Sequence, residues 1–68
     1  MKIIFKLKNE LGEFVSDEMN VNEEQYRTIL EMSKTFYMSG YEMPLVNGFL
    51  VAPPEILKKS ILIIEIIE

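Results

Sequence analysis

The sequence predicts an α+β domain in which a single helix packs on a largely antiparallel sheet of four to five strands, in the order β-β-α-β-β-β. Three observations predict this class: an alternating segment at 2–8, an amphipathic helical segment at 22–39, and an apolar run rich in isoleucine at 60–67. The short links between strands favour hairpins over parallel crossovers. Residues 1–68 are expected to form one domain, because so short a chain builds a single core.

The first two strands are predicted to form a hairpin. Apolar side chains at positions 3, 5 and 7 share one face of the first strand, and the opposite face is formed by Lys2, Ile4, Lys6 and Lys8. The segment from Asn9 to Gly12 has the residue types of a turn, and residues 13–16 form the return strand. The first strand is therefore expected to be buried on one face only.

The helix has the clearest local signals in the chain. Asn22 is a favourable N-cap, and Gln25 can complete a capping box. Gly40 is expected to end the helix after Ser39. Only one side of the helix is apolar, so it can cover one face of a sheet.

Two further strands are predicted at 41–46 and 49–52 around a turn formed by Asn47-Gly48. Pro44 lacks an amide hydrogen, which places the strand before this turn at an edge or makes it begin late. A short helical turn is predicted at 54–59.

The last strand is apolar on both faces. Positions 62, 64 and 66 lie on one face, and Ile61, Ile63 and Ile67 lie on the other, which only Glu65 interrupts. We expect this strand to run centrally in the sheet or along a subunit interface, because a strand that is apolar on both faces must be covered on both. One amphipathic helix cannot provide both covers.

A second copy of the chain is the expected second cover. Self-association is predicted to give a two-fold dimer, the commonest oligomer, through Ile4, Ile61, Ile63 and Ile67. The alternative is a monomer in which a loop of the same chain folds over the far face of the last strand.

The composition excludes most catalytic and metal sites. The chain has no histidine and no cysteine, so it has no disulfide, no catalytic triad, no Cys-His pair and no zinc site with these ligands. Its three glycines are isolated, which excludes a glycine-rich phosphate loop. Helix capping explains the oxygen-bearing residues around positions 17–24 better than a divalent cation does. We predict that the protein is not an enzyme and uses no cofactor or metal.

Localisation is predicted to be cytoplasmic. The absence of cysteine fits a reducing compartment, the N-terminus lacks the pattern of a signal peptide, and charged residues interrupt the apolar C-terminal run. The general composition resembles that of small accessory proteins of bacteria or their phages, and no family motif is recognised.

The predicted function is protein–protein interaction, as an adaptor or an inhibitor of another protein. Tyrosine and methionine favour adaptable contacts, so the expected partner-binding residues are Tyr37, Tyr41 and Met43. Basic targets would be steered by the acidic residues Glu10, Glu13, Asp17 and Glu18.

Two alternatives depend on the lysines of the first strand. Lys2, Lys6 and Lys8 could bind a small anionic ligand or nucleotide in a pocket at a subunit interface. The same lysines could bind nucleic acid weakly, although the net charge of −4 disfavours such a partner.

Overall fold

The computed structural model describes residues 1–38 and 40–68. Antiparallel strands and two helices make up this part of the chain, which confirms the α+β class. The elements in chain order are β1 (Lys2–Asn9), β2 (Gly12–Val15), β3 (Met19–Asn20), α1 (Glu23–Ser33), β4 (Tyr41–Leu45), β5 (Gly48–Ala52), α2 (Pro54–Leu57) and β6 (Ile61–Ile66). The short strand β3 is the element that the sequence did not predict.

Strand β1 lies at the centre of a four-stranded sheet. It pairs with β6 along one edge and with β2 and β3, one after the other, along the opposite edge. The predicted turn joins β1 to β2, where Asn9 Oδ1 accepts a hydrogen bond of 2.9 Å from the Leu11 amide and Gly12 has a positive φ of 135°. Of the two positions predicted for the last strand, the central one is therefore wrong, because β1 uses both of its edges and, among the described strands, β6 pairs only with β1.

Strands β4 and β5 form a separate two-stranded sheet. The main sheet has four strands, which agrees with the predicted four to five. The prediction that all strands belong to one sheet is wrong, because β4 and β5 lie outside the main sheet. Ser16 forms an isolated antiparallel bridge with Leu45, and the Asp17 amide donates to the Pro44 carbonyl at 3.1 Å. These bonds connect the hairpin formed by β4 and β5, called the hairpin from here on, to the end of β2. Pro44 is accommodated in it because β4 pairs only with β5 among the described strands.

The turn between β4 and β5 is shifted by one residue from its predicted position. Leu45 pairs with Gly48, so Val46 and Asn47 form the loop, and neither Asn47 nor Gly48 has a positive φ. At both ends of the inward face, the observed register sets a large side chain opposite a small residue, since Leu45 faces Gly48 and Tyr41 faces Ala52, while Met43 faces Leu50 between them. This arrangement lets the large side chains pack toward the core.

The core lies between the two sheets. Leu7 from β1 forms a buried cluster with Met43, Ala52 and Leu57, which come from β4, β5 and α2. The β4–β5 hairpin together with α2 therefore covers the part of the main sheet around Leu7. Helix α1 has no fully buried residue, but Tyr26, Ile29 and Ser33 along one side of it are half-buried, so the prediction that the long helix packs on the sheet is supported in part.

Helix α1 begins as predicted and ends early. The capping box is present: the Gln25 amide donates to Asn22 Oδ1, and the Asn22 amide donates to Gln25 Oε1, each at 2.8 Å. After Ser33 the chain continues in tight turns, so that Phe36 packs against the core from beyond the helix. Gly40 has the expected positive φ of 89°, and Ser39 lies outside the described residues. None of the described helices combines the length and apolar character needed to cross a membrane.

Candidate self-association surface

The four isoleucines predicted for self-association lie on the same face of the main sheet. The register sets Ile61 beside Lys8, Ile63 beside Lys6, and Glu65 beside Ile4, and directly paired antiparallel residues point to one side. The Ile67 amide donates to the Lys2 carbonyl at 2.9 Å, which continues this pattern beyond β6. The face opposite the core is called the outer face here; its apolar residues are Ile4, Val15, Ile61, Ile63 and Ile67.

The outer face is open to solvent. Ile61 is 65% exposed, Val15 41% and Ile67 39%, whereas Ile3 and Leu7 on the inner face of the same sheet are fully buried. Ile4 and Ile63 are half-buried. The monomer alternative needs a loop that hides these isoleucines, and residues 1–38 and 40–68 provide no such loop over Ile61.

The lysines of the outer face lie in ion pairs within the chain. Lys6 Nζ is 2.6 Å from Glu65 Oε2, and Lys8 Nζ is 3.8 Å from Glu13 Oε2. Lys2 Nζ lies 3.2 Å from a carboxylate oxygen of Glu68 and 4.0 Å from one of Glu18. These pairs compensate the positive charges among the exposed apolar side chains.

The closest ion pair also affects protonation. The hydrogen bond to Glu65, together with the negative charge of that carboxylate, raises the pKa of the Lys6 ammonium above its ordinary value. An anionic ligand on these lysines would have to displace glutamates that are already in place. The geometry thus gives the anionic-ligand and nucleic-acid alternatives no specific support.

The predicted partner-binding residues separate into three environments. Tyr37 is 41% exposed and is available to a partner. Tyr41 is half-buried, its ring lies edge-on to Phe5 and Phe36 with centroid distances of 6.5 and 6.2 Å, and burial raises the pKa of its hydroxyl to about 12. Met43 is fully buried in the core, so the prediction that it contacts a partner is wrong for this fold.

The predicted acidic steering residues all lie at the surface. Glu10, Glu13, Asp17 and Glu18 are exposed, on the turn after β1, on β2 and in the link to β3. Glu13 and Glu18 are engaged by lysines of the outer face. In the described ranges, no group of three or more acidic side chains is arranged to hold a metal ion.

The sequence reasoning missed a second apolar surface, on the outside of the hairpin. Val51 is 68% exposed and Phe49 is 60% exposed, while their neighbours Leu50 and Ala52 point inward. Alternation along β5 is the signal that separates these two sets. A solvent-open groove of about 480 Å³ also lies between the end of α1 and β4, and its lining is mostly apolar.

The described strands thus present two surfaces with exposed apolar side chains, the outer face of the main sheet and the outside of the β4–β5 hairpin. Comparison of the chain with protein families, curated proteins and solved structures gives no match.

Proposed function

We propose that this chain is a small, non-enzymatic interaction module that forms a homodimer through the outer face of its main sheet. The observation that carries the proposal is the exposure of Ile61 and Ile67 on a sheet whose other face contributes the fully buried Ile3 and Leu7. Burying these side chains against a second copy removes apolar area from water, at about 25 cal/mol per Å².

The charges of the outer face are compatible with such a contact. The whole chain carries a net charge of −4, so two copies repel each other at long range. On the outer face, however, Lys2, Lys6 and Lys8 each lie within 4.0 Å of a glutamate. A second copy therefore approaches a locally compensated surface rather than a uniformly acidic one.

The total solvent-exposed area of the chain agrees with a main sheet that a single copy covers incompletely. The chain exposes 4790 Å², whereas an average folded monomer of its mass exposes about 4,450 Å². The excess of this chain is in the direction expected for a subunit that buries further apolar area on association.

The test is a pair of matched substitutions. Ile61→Thr and Val51→Thr both shorten a strand side chain of similar exposure, 65% and 68%, and both retain a β-branched residue. Ile61 lies on the outer face and Val51 on the outside of the hairpin. We expect Ile61→Thr to weaken the dimer by at least about tenfold, because each dimer loses two buried contacts.

Gel filtration with light scattering over a concentration series measures the effect. Val51→Thr should dimerise like the wild type. A dimer that survives Ile61→Thr but dissociates with Val51→Thr would place the interface on the hairpin and contradict the proposal.

We further propose that the module binds or blocks another protein through the surface around Tyr37. Tyr37 lies next to Met38, which is 65% exposed, and Met32 at the end of α1 is 72% exposed. Tyrosine and methionine combine a large apolar area with adaptable contacts, which suits a partner-binding surface.

The test of this second proposal compares the host proteins captured by the wild type with those captured by a Tyr37→Ser/Met38→Ser variant. A protein that binds both equally, or no captured protein at all, would contradict this part of the proposal.

A further inference from the structure

The outer edge of β6 carries unpaired backbone groups. The Lys2 amide and carbonyl both bond toward the β6 side, to the Glu68 carbonyl at 3.2 Å and the Ile67 amide at 2.9 Å. Backbone groups of successive strand residues point to alternate edges, so Ile63 and Glu65 bond to β1. The amides and carbonyls of Leu62, Ile64 and Ile66 point away from β1, and no described strand pairs with them.

Strand β6 lacks the features that protect edge strands in monomers. Such edges usually carry lysine, proline or a bulge within the strand, or are very short. Ile61–Ile66 has six residues, no lysine and no proline. The opposite edge of the sheet is different, because Ser16 and Asp17 separate β2 from β3 and direct the chain to the hairpin.

We infer that a second copy of this chain pairs its own β6 antiparallel to this edge, so that the main sheets of two subunits become one continuous sheet. The inference rests on the proposed self-association and places its contact at the β6 border of the outer face, where Ile61 and Ile67 lie, while Ile4 and Ile63 stay on the open face of the continuous sheet. A two-fold axis perpendicular to the sheet relates the two strands, and it keeps the outer faces of both copies on the same side.

The alternation of the strand selects the register. Residues with outward backbone groups must oppose each other to exchange hydrogen bonds. Centring the axis on Ile64 achieves this for every outward residue of β6, since Ile64 faces the partner's Ile64 and Leu62 faces the partner's Ile66. On the outer face, Ile61 then lies beside the partner's Ile67.

Self-complementarity is the reason to choose a second copy as the occupant. In this register the exposed Ile61 and Ile66, at 65% and 51%, both gain apolar neighbours. Glu65 is the single charged residue of the strand, lies opposite the partner's Ile63 rather than another carboxylate, and keeps its 2.6 Å ion pair with Lys6. The edge contact therefore leaves the Lys6–Glu65 ion pair in place.

Residue-resolved amide hydrogen exchange on the full wild-type chain, with light scattering on the same sample, tests the inference. We expect the Leu62 and Ile64 amides to be protected in the dimer and to exchange faster as dilution produces monomer. The Ile63 and Glu65 amides should stay protected in both states, because they bond to β1.

Each outcome decides something different. A dimer in which the Leu62 and Ile64 amides exchange as fast as free amides overturns the edge pairing and leaves the proposed self-association intact. A chain that stays monomeric at every concentration overturns both.

A matched pair of variants gives a second, independent test. Ile64→Pro removes the side chain and the outward amide hydrogen, and Ile64→Ala removes only the side chain. We expect the dimer dissociation constant of Ile64→Pro to exceed that of Ile64→Ala by on the order of tenfold or more. Circular dichroism establishes that both variants fold. A folded Ile64→Pro that dimerises like Ile64→Ala overturns the inference, and if Ile64→Pro does not fold, the exchange experiment decides.

Discussion

At the scale of single residues, stability depends on very few buried side chains. The fully buried large ones are Ile3, Leu7, Met43 and Leu57. The last three belong to the cluster that connects both sheets with α2. A core this small has little excess stability with which to absorb a cavity.

Met43→Ala is therefore expected to lower the free energy of unfolding by about 2–5 kcal/mol. Chemical denaturation followed by circular dichroism measures the change. Met32→Ala is the matched control, because Met32 is 72% exposed, and it should unfold like the wild type. Equal losses for both variants would contradict the assignment of Met43 to the core.

Tyr41 should make the stability depend on alkaline pH. Burial raises the pKa of its hydroxyl to about 12 in the folded chain, compared with an ordinary value of 10.0. A folded-state pKa above the unfolded one means that the full contribution is present below pH 10 and is lost as the pH rises toward 12. We expect a loss of about 2 kcal/mol over this range.

Tyr41→Phe removes the titrating group and serves as the comparison. Its free energy of unfolding should fall less steeply above pH 10 than that of the wild type. Identical pH profiles for the two chains would contradict the burial of the Tyr41 hydroxyl.

At the scale of elements, helix α1 is well capped yet weakly connected to the core. Its capping box is complete, but no residue of α1 is buried. Short helices are marginal in water without tertiary packing. Local unfolding of α1 should therefore precede unfolding of the sheets.

Asn22→Ala should reduce the local stability of α1 by about 1 kcal/mol, through loss of the capping hydrogen bond. Amide exchange within α1 should become faster while exchange in β1 stays unchanged. Glu24→Ala changes an exposed residue of the same turn that lies outside the capping box and is the control. Faster exchange in β1 with Asn22→Ala would show that α1 and the sheet unfold together.

The elements that the sequence predicts well are those specified by local chemistry. The start of α1 follows from Asn22 and Gln25, and the first turn follows from Asn9 and Gly12. The inward face of β1 follows from alternation. None of these features depends on a distant part of the chain.

Features that depend on non-local pairing were not predictable in the same way. The separation of β4 and β5 into their own sheet depends on the bonds that Ser16 and Asp17 make to Leu45 and Pro44. The edge position of β6 follows from β4 and β5 pairing with each other, which leaves no described strand beside the far edge of β6. Met43 looked available to a partner because the sequence does not show which layer covers the sheet.

At the scale of the whole molecule, the main sheet has an inner face that contacts the second sheet and α2, and an outer face that is open to solvent. The predicted self-association residues do lie together, because alternation fixed the face that each of them occupies. What the sequence did not indicate was the contribution of the β4–β5 hairpin and α2 to the cover of the inner face, in addition to the half-buried side of the long helix.

Dimer formation should make thermal stability depend on concentration. A partner that binds only the folded chain stabilises it by mass action, so the midpoint of thermal unfolding should rise as the chain concentration rises. Differential scanning calorimetry at several concentrations measures this. The Ile61→Thr variant should show a weaker dependence, and a wild-type midpoint that is constant with concentration would contradict association of the folded state.

Sedimentation equilibrium of the wild-type chain tests the central claim most directly, because it measures the mass of the particle in solution without any substitution. The account predicts a particle of twice the 8.0 kDa chain mass at high concentration, which dissociates to 8.0 kDa on dilution. A mass of 8.0 kDa at every concentration would contradict it, since Ile61 and Ile67 would then have no second copy to cover them.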